Sequence, residues 1–342
     1  MKTLLNFCLI VYCLMTPCST FAKSPFAPKD DKILVFIGQD NRSIGANGLW
    51  RDGYSDHMGI PAGISHYVYF SEGKTNQFGY QFDVGAVDGL NSTTRWGAGP
   101  KCLRCLLETP AYKETLVHLS ISMELDEEGE VASGNYDHLI RELADFLKEF
   151  DDHIFYLRIG YEFDGSWNHY DPELFKLAWR RIVDQLKSQN LTNFATVMGA
   201  SRYYVDKGVW ETYWPGDDYV DWLGYSYWHN ENRAPVVFDL AREKGLPVFI
   251  AEITPRGFWL NQVDGDLIWN DWFQLLFDHI DANQDVIKAI SYINANWNSD
   301  PMWHGKGWGD SRIQINTPLK LKWLEKMATA QFIHNTQSIN FE

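Results

Sequence analysis

Two glutamates end apolar runs in this chain: "IFYLRIGYE" closes on Glu162 and "PVFIAE" closes on Glu252. A carboxyl at the end of a buried strand is costly unless it is paired or used. A structural ion pair explains either residue alone. Two of them on strands that would face each other point to a working pair. Tryptophans accompany them: Trp167 follows Glu162, and Trp228, Trp297, Trp303 and Trp308 follow later apolar runs. Facing carboxyls walled by aromatic rings suit glycosidic cleavage. One protonates the leaving oxygen, and the other attacks the anomeric carbon or activates water. Core or rim packing is the plainer use of each ring, so only some of the five are expected to stack on sugar. Arg158 lies in a run so apolar that its charge needs a partner, and a carboxylate inside the fold is the expected one.

The elements that must position these groups recur in a rhythm. Strand-like runs occupy 33–38, 64–70, 116–123, 154–160, 194–200, 219–227, 247–252 and 287–294. Helical patterns lie between several of them, at 136–150, 171–189, 235–245 and 267–280, with another at 318–332. In "DPELFKLAWRRIVDQLKSQ", Asp171 caps, Pro172 takes the first turn, and Leu174, Ala178, Ile182 and Leu186 share a face. Strand and helix alternating toward eight repeats predict an α/β fold, a single-domain (β/α)8 TIM barrel. An open doubly wound sheet is the runner-up, but "GQDNRSIG" lacks the spacing of a phosphate-binding loop. The stretches 40–63 and 71–112 offer no clean helix. "DEEGE" (126–130) reads as a solvated turn.

Barrel chemistry gathers at the C-terminal strand ends. There the sequence places Gln39 and Asp40, Glu124, Glu162 with Tyr161, Ser226 and Tyr227 with Trp228, Glu252, and Asn294 to Trp297. His118 alternates with apolar neighbours and reads as a core or supporting group. No H-x-H occurs, so neither a metal nor another cofactor is expected. The long stretch after the last strand brings Trp297, Trp303, Trp308, Asp310 and Arg312 toward one end of the cleft.

The chain has 342 residues, 45% of them hydrophobic and 15% aromatic, and a formal net charge of −15. That charge argues against a nucleic-acid partner and favours a neutral polymer over an anionic one. Residues 1–22 read as a signal peptide: Lys2, an apolar run over 4–15, then small residues at Thr20 and Ala22. A catalytic domain over 23–342 follows, with a secreted or periplasmic location, no membrane contact after cleavage, and a monomeric state. Export removes three of the five cysteines and leaves Cys102 and Cys105, for which a local disulfide and two inert thiols both stay open.

At this point the chain resembles a known group. "RIGYEFDGSW", "FKLAWRRIVDQL", "WPGDDYVDWLGYSYW" and "PVFIAE" are similar to glycoside hydrolase family 26, within the retaining clan A. The likeness covers about residues 150–330 by motif and the N-terminal third by strand order. That family holds endo-β-1,4-mannanases, with some β-1,3-xylanases and mixed-linkage β-glucanases. The resemblance implies that Glu162 is the acid/base and Glu252 the nucleophile, with Tyr227 hydrogen-bonded to the latter. It implies a secreted, endo-acting, retaining hydrolase of a β-mannan, β-xylan or β-glucan. The family's usual His before the acid/base is Tyr161 here. The mannanase tryptophan run is reduced to Trp167 followed by Asn168, His169 and Tyr170, which implies a rebuilt subsite. The competing readings are an inactive glycan-binding barrel and a metal-dependent barrel hydrolase.

Overall fold

Eight apolar runs form the staves of a closed barrel in the computed structural model, which describes residues 24–336 and 339–341. They are β1 (Ile33–Gly38), β2 (Gly63–Tyr69), β3 (Leu116–Ser122), β4 (Phe155–Ile159), β5 (Phe194–Ala200), β6 (Trp222–Tyr227), β7 (Val248–Ile253) and β8 (Ile287–Ile293). Each pairs in parallel with the next, and β8 returns to β1 through Leu34↔Ala289 to Gly38↔Ile293. A two-residue ninth strand, Phe332–Ile333, adds to the start of β1 outside the ring. The (β/α)8 expectation therefore holds, and the open-sheet alternative does not. The signal-peptide reading lies outside the described residues.

Every residue of these eight strands is buried, and alternation sorts them into two shells. Inside the barrel, Leu34, Phe36, Tyr156, Val197, Trp222 and Phe249 fill the lower layers. The Phe36 and Phe249 rings meet at 4.9 Å, and Phe36 and Tyr156 at 5.4 Å, so the interior is packed across its axis. Val35, Ile37, Leu119, Ile121, Leu157 and Ile250 face outward under the helices. Burying each such side chain contributes roughly 1.5–3 kcal/mol. Above the apolar layers the inward positions turn polar. His118 is buried there, its Nδ1 at 3.0 Å from Ser65 Oγ, a supporting role as expected.

The helices largely follow the pattern. Pro172–Ser188 opens on Asp171, whose side chain accepts from the Glu173 and Leu174 amides. Val236–Lys244 ends at Gly245 in the left-handed conformation. The helix expected at 267–280 is present: it starts at Gly265–Ile268, passes through a π-helical turn, Trp269–Phe273, and continues as Gln274–Asp281. One expectation needs correction. "DEEGE" is no solvated turn: it enters the helix Glu127–Ser133, and Glu127 is buried against Ser71, Lys74 and Tyr136. Apolar periodicity cannot register a carboxylate buried by hydroxyls and a lysine from distant loops. The irregular stretch 71–102 arches over the barrel end, pinned by the Thr75↔Gln81 and Thr94↔Lys101 bridges.

Candidate active site

The polar inward layer is built from strand ends, and Arg158 of β4 is its centre. Fully buried, it donates through Nη1 to Glu252 Oε1 at 2.5 Å and through Nη2 to Ser226 Oγ at 3.2 Å. Ser226 in turn donates to Glu162 Oε1 at 2.6 Å. One guanidinium and one hydroxyl thus join the two carboxyls that the sequence singled out. Trp167 Nε1 donates to the other oxygen, Oε2, at 3.0 Å.

Local backbone aims both glutamates. Gly160 (φ +54) and Glu162 (φ +50) take left-handed conformations, which turn the chain sharply out of β4. For a non-glycine residue that conformation costs on the order of 1–3 kcal/mol. Asn168 ties the turn down, its Nδ2 donating to the Tyr161 and Glu162 carbonyls at 2.8 and 2.9 Å. Asp164 holds its far side through the Ser201 amide and hydroxyl. On β7 a bulge serves the same end: Tyr225 pairs with Ile250, but Ser226 pairs with Glu252, skipping Ala251. Phe249 and Ala251 belong to the inner core, so plain alternation would turn Glu252 outward. The extra residue resets the phase and brings the carboxylate onto the inner face.

The two carboxyls sit in different fields. Burial first, and then the Glu252 charge, push Glu162 up to about 8, so it holds a proton at neutral pH. Glu252 has the Arg158 guanidinium against it at 2.5 Å. A protonated acid beside a paired carboxylate is the division of labour that acid-assisted displacement at a sugar carbon requires.

A cleft of about 410 Å³ opens above them. Tyr161, Trp167, Trp228, Trp297, Trp303 and Trp308 all line it, as the sequence suggested. They differ in use. Trp167 is 54% exposed, whereas Trp297 is buried, with its Nε1 on Thr254 and Ser311 hydroxyls. Trp228, Trp297, Trp303 and Trp308 form one packed cluster, with Trp297 and Trp308 ring centres 4.7 Å apart.

Two expectations are corrected, and one open choice is resolved. Tyr227 does not reach Glu252. It lies in the outer core against Tyr203, Trp272 and His279, and its hydroxyl has no partner. Trp222 faces the barrel interior, so alternation turns Ser226 inward and Tyr227 outward. The phenol facing Glu252 is Tyr67, from β2. Asp310 and Arg312 do not wall the cleft either. They pair with each other at 2.7 Å, beside the loop that follows β8. Cys102 and Cys105 are joined as a disulfide beneath the arch, where the sequence left the choice open.

Sequence reasoning placed Gln39, Glu124 and Ser226 at strand ends without giving them a role, and missed Tyr67, Trp96, Lys101, Arg202 and Arg256. Ser226 and Tyr67 were within reach of strand parity. The residues of the 71–102 arch carry no such signal, because no period governs an irregular loop.

No family model matches the chain. Solved structures of the same fold include a Cellulomonas fimi endo-β-1,4-mannanase, at TM-score 0.61 and 16% identity over 91% of this chain and 73% of that one. A Bacteroides ovatus family 26 β-mannanase superposes at TM-score 0.60 and 16% identity, over 90% of this chain and 92% of its own. Sequence carries the kinship further. A β-1,3-xylanase of a Vibrio species, TXYA, is 32% identical over 336 residues, covering 91% of this chain and 68% of its own length. The chain belongs to glycoside hydrolase family 26. A β-1,3-xylanase of an Alcaligenes species is 29% identical over 91% of this chain and 66% of its own length. The chain thus spans about two thirds of these family 26 relatives.

Proposed function

We propose that this glycoside hydrolase is an exported, retaining endo-β-1,3-xylanase. Glu162 is its general acid/base and Glu252 its nucleophile. For the chemistry, the carrying observation is the Glu252–Arg158–Ser226–Glu162 chain of contacts. The likeness to the retaining clan A supports direct attack by Glu252 rather than by a water held between carboxylate and sugar. Glu162 delivers its proton to the leaving oxygen, and Glu252 closes on the anomeric carbon to give a glycosyl-enzyme. Glu162, now a carboxylate, then draws a proton from the water that releases the sugar. Two inversions give net retention. For the substrate, the support is the 91% coverage by two named β-1,3-xylanases, against mannanase likeness at 16% identity or less. Export rests on residues 1–22 alone and predicts a mature N-terminus near Lys23.

A panel of β-1,3-xylan, β-1,4-xylan, β-1,4-mannan and mixed-linkage β-glucan tests the reading, with products sized over time. Fastest release of mixed-length xylo-oligosaccharides from β-1,3-xylan is expected, and proton NMR should show the β-anomer first. Preference for mannan would overturn the substrate, and an initial α-anomer would overturn the mechanism.

A further inference from the structure

The cleft contains a second polar group, on the side of β1 and β2, that the bond-breaking steps above do not use. Lys101 is 1% exposed, yet its ammonium lines the cleft. It donates to the Ala98 carbonyl at 2.8 Å and the Gln39 carbonyl at 3.3 Å, and no carboxylate lies within ion-pair distance of it among the described residues. An ammonium has three protons to donate, so one is left over. Gln39 also lines the cleft at 5% exposure, and its Nε2 has no partner. Leaving a buried donor unmade costs about 1–3 kcal/mol, and holding a desolvated ammonium costs more. Two such groups side by side mark a place prepared for acceptors that arrive with a ligand.

Their surroundings say which part of the ligand. Lys101 Nζ lies 5.6 Å from the Tyr67 ring centre and 5.1 Å from that of Trp96. Tyr67 in turn faces Glu252, whose charge also acts on Lys101. The pair therefore borders the nucleophile, while Trp167 borders the acid. Asp40 and Asp300 stand near enough to Lys101 to offset its charge, which suits a neutral hydroxyl better than an anionic substituent.

We infer that Lys101 and Gln39 form a sugar-recognition site on the nucleophile's side of the cleft, donating to hydroxyl oxygens of the neutral pyranose whose anomeric carbon is attacked. This rests on the roles proposed for Glu252 and Glu162. The site reads the glycone and leaves the leaving group unread. Its effect must therefore appear even on short substrates with activated leaving groups.

The test uses 4-nitrophenyl glycosides of the disaccharide that the wild type cleaves, β-xylobioside on the proposed reading. To these are added analogues that lack one glycone hydroxyl each. Lys101→Met should lower kcat/KM roughly 10- to 100-fold on the full substrate, the worth of a charged hydrogen bond. Removing the hydroxyl that Lys101 holds should cost the wild type roughly 10- to 100-fold but Lys101→Met less than threefold. Gln39→Leu should show the same pattern for a neighbouring hydroxyl. The comparison is a ratio across analogues within one protein, so partial misfolding does not affect it. Equal losses on every analogue, or a Lys101→Met enzyme within twofold of wild type, would overturn the site. A wild type that prefers another sugar would instead overturn the xylan reading and move the same series to that sugar.

Discussion

On the proposed roles, Glu162 carries the chemistry that depends most directly on protonation. Its folded pKa is raised, so the proton-donating form is present below about pH 8 and is lost as pH rises through that value. The alkaline limb of kcat/KM should therefore fall near pH 8. Glu162→Gln should lower turnover of natural glycan by roughly 10²–10⁴ and remove that limb, while aryl glycosides with good leaving groups suffer far less. Equal losses on both substrate types would argue for a different acid. Ser226 tunes the same group: its hydrogen bond to Oε1 favours the carboxylate, and so lowers the pKa from what burial alone would impose. Ser226→Ala should therefore move the alkaline limb upward and cost about 10-fold in kcat/KM, the rough worth of a buried hydrogen bond. An unmoved limb would count against the bridge.

At the scale of elements, β5 shows how a strand without chemistry of its own positions the site. Gly199 lies beside Arg158, and a Cβ placed on it would stand 2.5 Å from Arg158 Nε. The guanidinium is held between Glu252 and Ser226 and has little room to yield. Gly199→Ala should thus displace Arg158 and lower kcat by roughly 10- to 100-fold, since small misplacements near a reacting centre are expensive. Circular dichroism should stay that of the wild type. Unchanged kcat would mean that Arg158 has slack the contacts do not suggest. The turn after β4 and the bulge in β7 belong to the same scale: each spends local regularity to set the direction of one carboxyl.

Across the whole molecule, the barrel's two ends are treated differently. The catalytic end is polar and open. The other is stoppered by residues 24–28: the Ser24 hydroxyl donates to the Asp221 carbonyl at 2.8 Å, Trp222 Nε1 to Pro25 O at 3.0 Å, and Tyr156 Oη to Phe26 O at 2.7 Å. Phe26 also packs edge-on against Tyr156 and Phe341. A chain starting at Lys23, as proposed for export, keeps this stopper intact. A chain starting at Lys29 should lose roughly 2–4 kcal/mol, from three hydrogen bonds and one partly buried ring. Calorimetry should show the midpoint falling by several degrees, with kcat at 25 °C little changed. An unchanged midpoint would show that the segment rests on the barrel without supporting it.

What the sequence determined by itself is what rests on period and composition. The eight strands, the helix from Pro172 capped by Asp171, the Arg in need of a carboxylate, and Glu162 and Glu252 at strand ends were all legible, because burial imposes a repeat on the chain. Tyr227 shows the limit: its place at a strand end is readable, but which face it takes is a matter of parity, and parity must be counted from a residue whose side is known. Glu252 shows a harder limit, since a single skipped residue in β7 reverses the face that parity assigns, and that skip follows from how three neighbouring strands pair. The tertiary structure alone brought Lys101 and the Gln39 side chain to the Glu252 side of the cleft. Lys101 comes from an irregular arch whose path is set by contacts distant in sequence, and such contacts leave no periodic trace in the chain that makes them.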